Sequence, residues 1–220
     1  LRHAYEAIGL TNWEKIAPVC AAIELELCNM YYTNRIYDEK NVKTRERERM
    51  NREIMAAKIT GGLAAKVIHQ LKGKISVEIL RKVLDLLNES DFMCELGQYF
   101  DVFENIYSKK RDSGFEEMVE SCYKRIYGIN SSFFEKIAIM GGILAGADEA
   151  QIKSLGEFGR NYGFVVQIVN DISDFVPSSE GHTTSEKIST DSYSDIIHGK
   201  LTLPVIYTLH HGTDEEKKKI

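Results

Sequence analysis

Apolar residues along this chain recur at every third or fourth position and show no clear alternating pattern. That period puts them on one face of a helix and argues against half-buried strands. Ser76–Asn88 shows it plainly, with Ile79, Leu80, Val83, Leu86 and Leu87 on one side. Only three prolines occur in 220 residues, Pro18, Pro177 and Pro204, so long helices are permitted. The spacing predicts helices from Pro18 to about Lys40, over Ile54–Gln70, Ser76–Asn88, Phe92–Ser108, Phe115–Tyr127 and Ser131–Ile143. Another opens with a capping box of Asp148 and Gln151 and ends near Pro177. Gly73 is a breaker, and Lys109–Gly114 (KKRDSG) reads as a loop. The Ser-, Thr- and Asp-rich residues 178–196 read as a surface loop, after which Gly199, Lys200 and Leu201-Thr-Leu-Pro204 start a last helix. The expected fold class is all-α: a single bundle of antiparallel helices around a central cavity, one domain over 1–220.

Charge and composition narrow the function classes. The net charge of −5 gives no footprint for duplex nucleic acid. The most apolar run, Ile137–Ala147, is too short to span a bilayer. Cys20, Cys28, Cys94 and Cys122 form no CxxC pair and read as reduced thiols, which fits a cytoplasmic protein. Both ends look truncated: the chain opens at Leu1 in patterned sequence, and Thr213 or Asp214 reads as the N-cap of a helix just begun.

Residues 162–175, YGFVVQIVNDISDF, carry two seams. Val165, Ile168, Val169 and Ile172 make an apolar stripe; Gln167, Asn170, Asp171 and Asp174 repeat the spacing two residues later. Like charges one turn apart weaken a bare helix, and a cation is the simplest compensation. Gly156, Gly159 and Gly163 extend the acidic seam toward the helix N-terminus, each at about 1 kcal/mol of helix propensity. Close helix approach and room for a ligand explain them equally well.

The order GGILAGAD, GFVVQIVNDISD, a Ser/Asp loop and then DIIHGKLTLP resembles the trans-isoprenyl diphosphate synthases, the polyprenyl and geranyltranstransferase-like enzymes. Leu1-Arg2 resembles the end of that family's Gly-Lys-Arg-x-Arg-Pro segment. AAIELELCNMYYTNRIYD resembles the helix carrying its first aspartate-rich motif, Gly97–Val102 its Gly-Gln-x-x-Asp element, and Asn170–Asp174 its second Asp-Asp-x-x-Asp motif. The resemblance implies the isoprenoid synthase fold and a reaction in which an allylic diphosphate ionises and isopentenyl diphosphate attacks the cation. It implies Mg²⁺ and basic side chains at the leaving diphosphate. Asp171 and Asp174 would bind Mg²⁺ with help from Gln167 and Asn170, Asp38 would be the surviving metal ligand of the first motif, and Lys200 in GKLTLP matches a diphosphate-binding lysine. Asn34, Arg35 and Arg2 would contact substrate, and Gln98 and Asp101 would orient neighbours. Tyr31 and Tyr32 would bound the pocket. A homodimer, or a heterodimer with a homologous subunit, is expected.

The chain also departs from the pattern. The first motif falls on Asn34, Arg35, Ile36, Tyr37 and Asp38, so only its last acid survives. Arg35 cannot ligate a metal and places positive charge where a cation would sit. Ile129 stands where the family has a diphosphate-gripping lysine, and Asn130 where it has threonine. Three functions stay open: an active Mg²⁺-dependent prenyltransferase, a weakly active or non-catalytic subunit of a heteromeric synthase, and a class I terpene synthase. The third fits least, because Asp174 and Ser178 hold the Ser and Glu positions of the terpene-synthase motif.

Overall fold

A computed structural model describes residues 1–37, 44–110, 112–175 and 194–218. The chain is all-α: α1 (Arg2–Ala7), α2 (Ala17–Tyr37), α3 (Thr44–Ile68), α4 (Val77–Tyr99), α5 (Tyr107–Lys110), α6 (Phe115–Ile126), α7 (Ser132–Ala145), α8 (Glu149–Ser173), α9 (Ser194–Ile197), α10 (Leu203–His211) and α11 (Asp214–Lys217). Among the described residues the only β pairing is two isolated bridges, one joining Ile106 to Lys200.

The elements follow local chemistry, with instructive differences from the sequence pattern. Ser76 caps α4 by accepting from the Ile79 backbone N–H, and Asp148 with Gln151 closes the expected capping box on α8. Gly146 ends α7 in the left-handed region at φ 76°. Two expected helices, 76–88 and 92–108, are largely one. The chain passes straight through Asn88-Glu-Ser-Asp91 because Leu80, Val83, Leu87, Ser90, Cys94 and Gly97 keep the buried face in register. The charged run after Thr44 belongs to α3, where Arg49 pairs with the buried Glu53 one turn on. The short α1 has no counterpart in the sequence reading; it packs against α7, where an added methyl on Gly141 would meet the Leu1 carbonyl at 2.7 Å.

Two apolar clusters hold the fold. One joins α2, α3, α4 and α7 through Val19, Ile23, Ile68, Val83, Leu87, Phe133 and Met140. The other joins α6 and α10 through Met118, Cys122, Ile126, Leu201, Val205 and Ile206. Each large side chain fully buried in them contributes roughly 1.5–3 kcal/mol relative to exposure.

Between the clusters run two wide π-helical turns, Phe100–Glu104 after α4 and Tyr127–Ser131 between α6 and α7. The second turn meets α4 across bare backbone. A Cβ on Gly97 would lie 2.3 Å from the Ile129 nitrogen, and one on Gly128 would lie 2.5 Å from the Gly97 Cα. Among the described residues no helix is long and apolar enough to cross a membrane. The four cysteines are free thiols.

Candidate functional site

The ends of α4, α6 and α8 converge on the segment that leads into α10. Asp101 sits in the first π turn, 4% exposed, and Arg125 ends the buried face of α6, 2% exposed. Asp171 lies on the inner side of α8, 3% exposed. Arg125 bridges the two acids: Nη1 donates to Asp101 Oδ1 at 3.1 Å and Nη2 to Asp171 Oδ2. Lys200 Nζ donates to the other Asp101 oxygen at 2.7 Å and stands 3.7 Å from Asp195 Oδ1. Lys200 is placed by its backbone N–H, which donates to the Asp195 carbonyl, and by reciprocal bonds between Asn105 and Leu201. Asp174, at the end of α8, accepts from the Asp195 backbone N–H at 3.1 Å.

A chain of amides completes the inner edge. Asn130 Nδ2 donates to Gln167 Oε1 at 2.7 Å, and Gln167 Nε2 donates to Asp171 Oδ1 at 2.8 Å. The sequence-predicted Asp171, Asp174, Gln167 and Lys200 therefore share one neighbourhood. Asn170 lies on the exposed side of the same helix.

The electrostatics follow from burial opposed by opposite charge. Burial raises the Asp101 carboxyl, but Lys200 and Arg125 overcome it and hold the acid below its ordinary range. Burial raises Asp171, against Arg125 and Gln167. A guanidinium does not give up its proton at accessible pH, so Arg125 keeps its charge between the two acids. Burial, with Asp171 and Asp174 nearby, lifts Asp195 to about 6 in spite of Lys200.

On α8 the seam of Gly156, Gly159, Gly163 and Asp171 faces inward, while Val165, Val169 and Ile172 of the apolar stripe are 58%, 54% and 48% exposed. The cause is backbone proximity. A methyl on Gly159 would sit 2.4 Å from the Phe134 carbonyl, and one on Gly163 would sit 2.5 Å from the Ser131 Cα. Close helix packing therefore explains those glycines, and the ligand-room alternative falls away. The expected compensating cation, finally, is a side chain of this chain, Arg125.

The remaining predicted residues lie elsewhere. Arg35, near the end of α2, pairs with Glu53 of α3 at 3.2 Å and donates to the Tyr31 hydroxyl. Asn34 is half-buried beside it, and Asp38 lies outside the described residues. Arg2 pairs with Glu6 at 2.8 Å and stacks on Trp13. Tyr31 is 52% exposed. Ile129, 9% exposed, is core.

Arg125 and Asp195 went unnoticed in the sequence. Arg125 left a legible signal: it falls in the α6 stripe Met118, Cys122, Arg125, Ile126, where a cation is expected only if something inside pairs with it. Asp195 left none, since the Asp-rich loop before it offers several equivalent acids.

Donor chemistry argues against Asp171 as a ligand for Mg²⁺. Each of its oxygens already accepts a hydrogen bond, and a guanidinium rather than open space lies against one of them. Among the described residues no group of three or more His, Cys, Asp or Glu side chains is arranged to hold a metal ion.

Fold and site together make an all-helical bundle with an acidic and basic cluster where helix ends meet, beside the element following a Gly-Lys-Leu-Thr-Leu-Pro turn. Residues 43–220 match the polyprenyl synthetase family, and the chain belongs to that family, the trans-isoprenyl diphosphate synthases. It is 32% identical over 105 residues to an octaprenyl diphosphate synthase of Escherichia coli (strain K12), covering 47% of this chain and 31% of that protein. It is 32% identical over 115 residues to heptaprenyl diphosphate synthase component 2 of Geobacillus stearothermophilus, covering 52% and 32% of the two chains. The crystal structure of a geranylgeranyl pyrophosphate synthetase from Pyrococcus horikoshii superposes with a TM-score of 0.74 at 25% identity, over 98% of this chain and 63% of that one. The matched segments thus span about a third of those two curated relatives.

Proposed function

We propose that residues 1–220 form one isoprenoid-synthase-like domain of a trans-prenyltransferase that joins an allylic diphosphate to isopentenyl diphosphate. The observation that carries this reading is the convergence of Asp101, Arg125, Asp171 and Lys200 where α4, α6 and α8 end. In such a reaction the allylic C–O bond breaks and diphosphate leaves with its electrons. The isopentenyl double bond then attacks the cation, and a proton is lost. Charge develops on the leaving oxygens, so fixed positive charge beside them lowers the barrier. Lys200, oriented by Asp101 and Asp195, is the cation assigned to that diphosphate, with Gln167, Asn170 and Asp174 along its edge. Asn34, Arg35 and Arg2 are assigned to substrate contact on the other side, and Asp38 to the remnant first motif. Mg²⁺ entering with the diphosphate is part of this proposal, but its ligands are neither Asp171 nor Asp101.

A second reading is favoured by specific observations: this chain is a weakly active or non-catalytic subunit that pairs with a full-motif homologue. Arg35 is tied to Glu53, Ile129 is packed in the core, and Asp171 is committed to Arg125. A relative described as component 2 of a heptaprenyl diphosphate synthase supports pairing of this kind. Incorporation of labelled isopentenyl diphosphate with allylic primers of several lengths separates the readings. Turnover by the chain alone supports the first, and turnover or a shifted product length only in a mixture with a full-motif homologue supports the second. Inactivity in both arms removes both.

A further inference from the structure

We infer that Arg125 is the resident countercharge of Asp171 in the second acidic motif: its guanidinium holds the place beside Asp171 that a divalent cation would need, so Asp171 has its positive partner without metal.

The geometry supports this directly. Asp171 and Asp101 belong to different helices, and a cation between them is required for both to stay ionised out of water. Arg125 fills that role with two nitrogens, one on each acid, and all three side chains are nearly inaccessible to solvent. Gln167 takes the remaining Asp171 oxygen and Lys200 the remaining Asp101 oxygen. Buried Arg125 Nε has no partner among the described residues, so the side chain is held by its two acids and by packing against Cys122. Magnesium demands a near-octahedral shell of oxygens and gives up its waters reluctantly. A guanidinium in contact with the carboxylate excludes that shell by volume and repels the ion by charge. Arg125 is therefore a positioning residue: it fixes Asp101, through which Lys200 is oriented. This assignment stands whether or not the chain turns over alone.

Mn²⁺ is the probe, titrated against the full chain by electron paramagnetic resonance with and without inorganic diphosphate. Asp171→Asn is expected to leave Mn²⁺ affinity within about twofold of the unsubstituted chain, far short of the roughly 10–100-fold loss that follows disturbance of a true metal site. Arg125→Met frees Asp171 and is expected to gain an Mn²⁺ site at least about tenfold tighter than any the unsubstituted chain shows, and Arg125→Met with Asp171→Asn loses it again. A purely structural role for Arg125 predicts no such gain. If Arg125→Met does not fold, the Asp171→Asn arm decides. If neither variant folds, the unsubstituted chain decides: the guanidinium proton resonances of Arg125, protected by burial, stay in place and protected when diamagnetic Mg²⁺ and diphosphate are added. A tenfold loss of Mn²⁺ binding in Asp171→Asn, absence of a gained site in a folded Arg125→Met, or loss of the protected Arg125 resonances on adding Mg²⁺ and diphosphate overturns the assignment.

Discussion

Arg125 ties together two buried acids from separate elements. Removing one partner of a buried pair leaves the other charge uncompensated, at a cost of roughly 3–5 kcal/mol. Arg125→Met is expected to lower stability by that order in urea melts, and Asp171→Asn to cost less because a neutral acceptor remains for the guanidinium. A second buried acid makes a separate prediction. Glu26 on α2 is 2% exposed; burial and a hydrogen bond with Asp91 raise it to about 7, although Asn29 donates to both acids. The folded chain therefore holds this proton more tightly than the unfolded chain does. Stability from this group is complete below about pH 4.5 and declines as pH rises toward 7. Glu26→Gln, which keeps a donor toward Asp91 at every pH, is expected to raise the melting temperature at pH 8 and to change it little at pH 4.5. A pH-independent difference would contradict the burial assigned to Glu26.

At the scale of elements, glycines divide into those that permit contact and those that do not. Gly163 presses on the Ser131 backbone, whereas Gly62 on α3 has nothing within 4 Å of an added Cβ. Gly163→Ala should therefore displace α8 from α7 and cost several kcal/mol, while Gly62→Ala should stabilise by about 0.5–1 kcal/mol through helix propensity. Paired thermal melts of the two variants check both signs. The same contrast shows what was legible in the sequence. Period, capping boxes and Gly73 gave the helices and most of their ends, because those signals are local. Both seams of α8 are legible in the spacing, but the spacing alone does not say that the apolar one lies largely exposed. Only the three-dimensional approach of Gly159 to Phe134 decides which side is inside. Likewise Asp171, Asp174, Gln167 and Lys200 were found through motif order. Their partner Arg125 lay in plain view on the apolar stripe of α6, but the acid across from it comes from a helix 46 residues away.

For the whole molecule, the outward stripe of α8 matters most. Phe158, Tyr162, Val165, Val169 and Ile172 are each about half exposed or more and follow one another along a single helix. Contiguous apolar surface of this kind drives association. The chain is expected to bind a hydrophobic dye and to sediment with concentration-dependent mass, and Val165→Lys with Val169→Lys should reduce both while leaving the helical circular dichroism signal intact. Homodimer and heterodimer are both open to this surface. A mixture with a full-motif homologue that suppresses dye binding would identify the second as the stronger.

The two widened turns, 100–104 and 127–131, have a consequence for how this architecture tolerates change in length. Each carries a residue surplus to the ordinary ladder, and taking one residue out of a helix swings everything beyond it by about 100°. Shortening the second turn by one position would restore a regular spiral and yet rotate Asn130 away from Gln167, severing the amide relay that reaches Asp171. Here the irregular count is the bearing on which the cluster is aimed, and a more perfect helix would point it elsewhere.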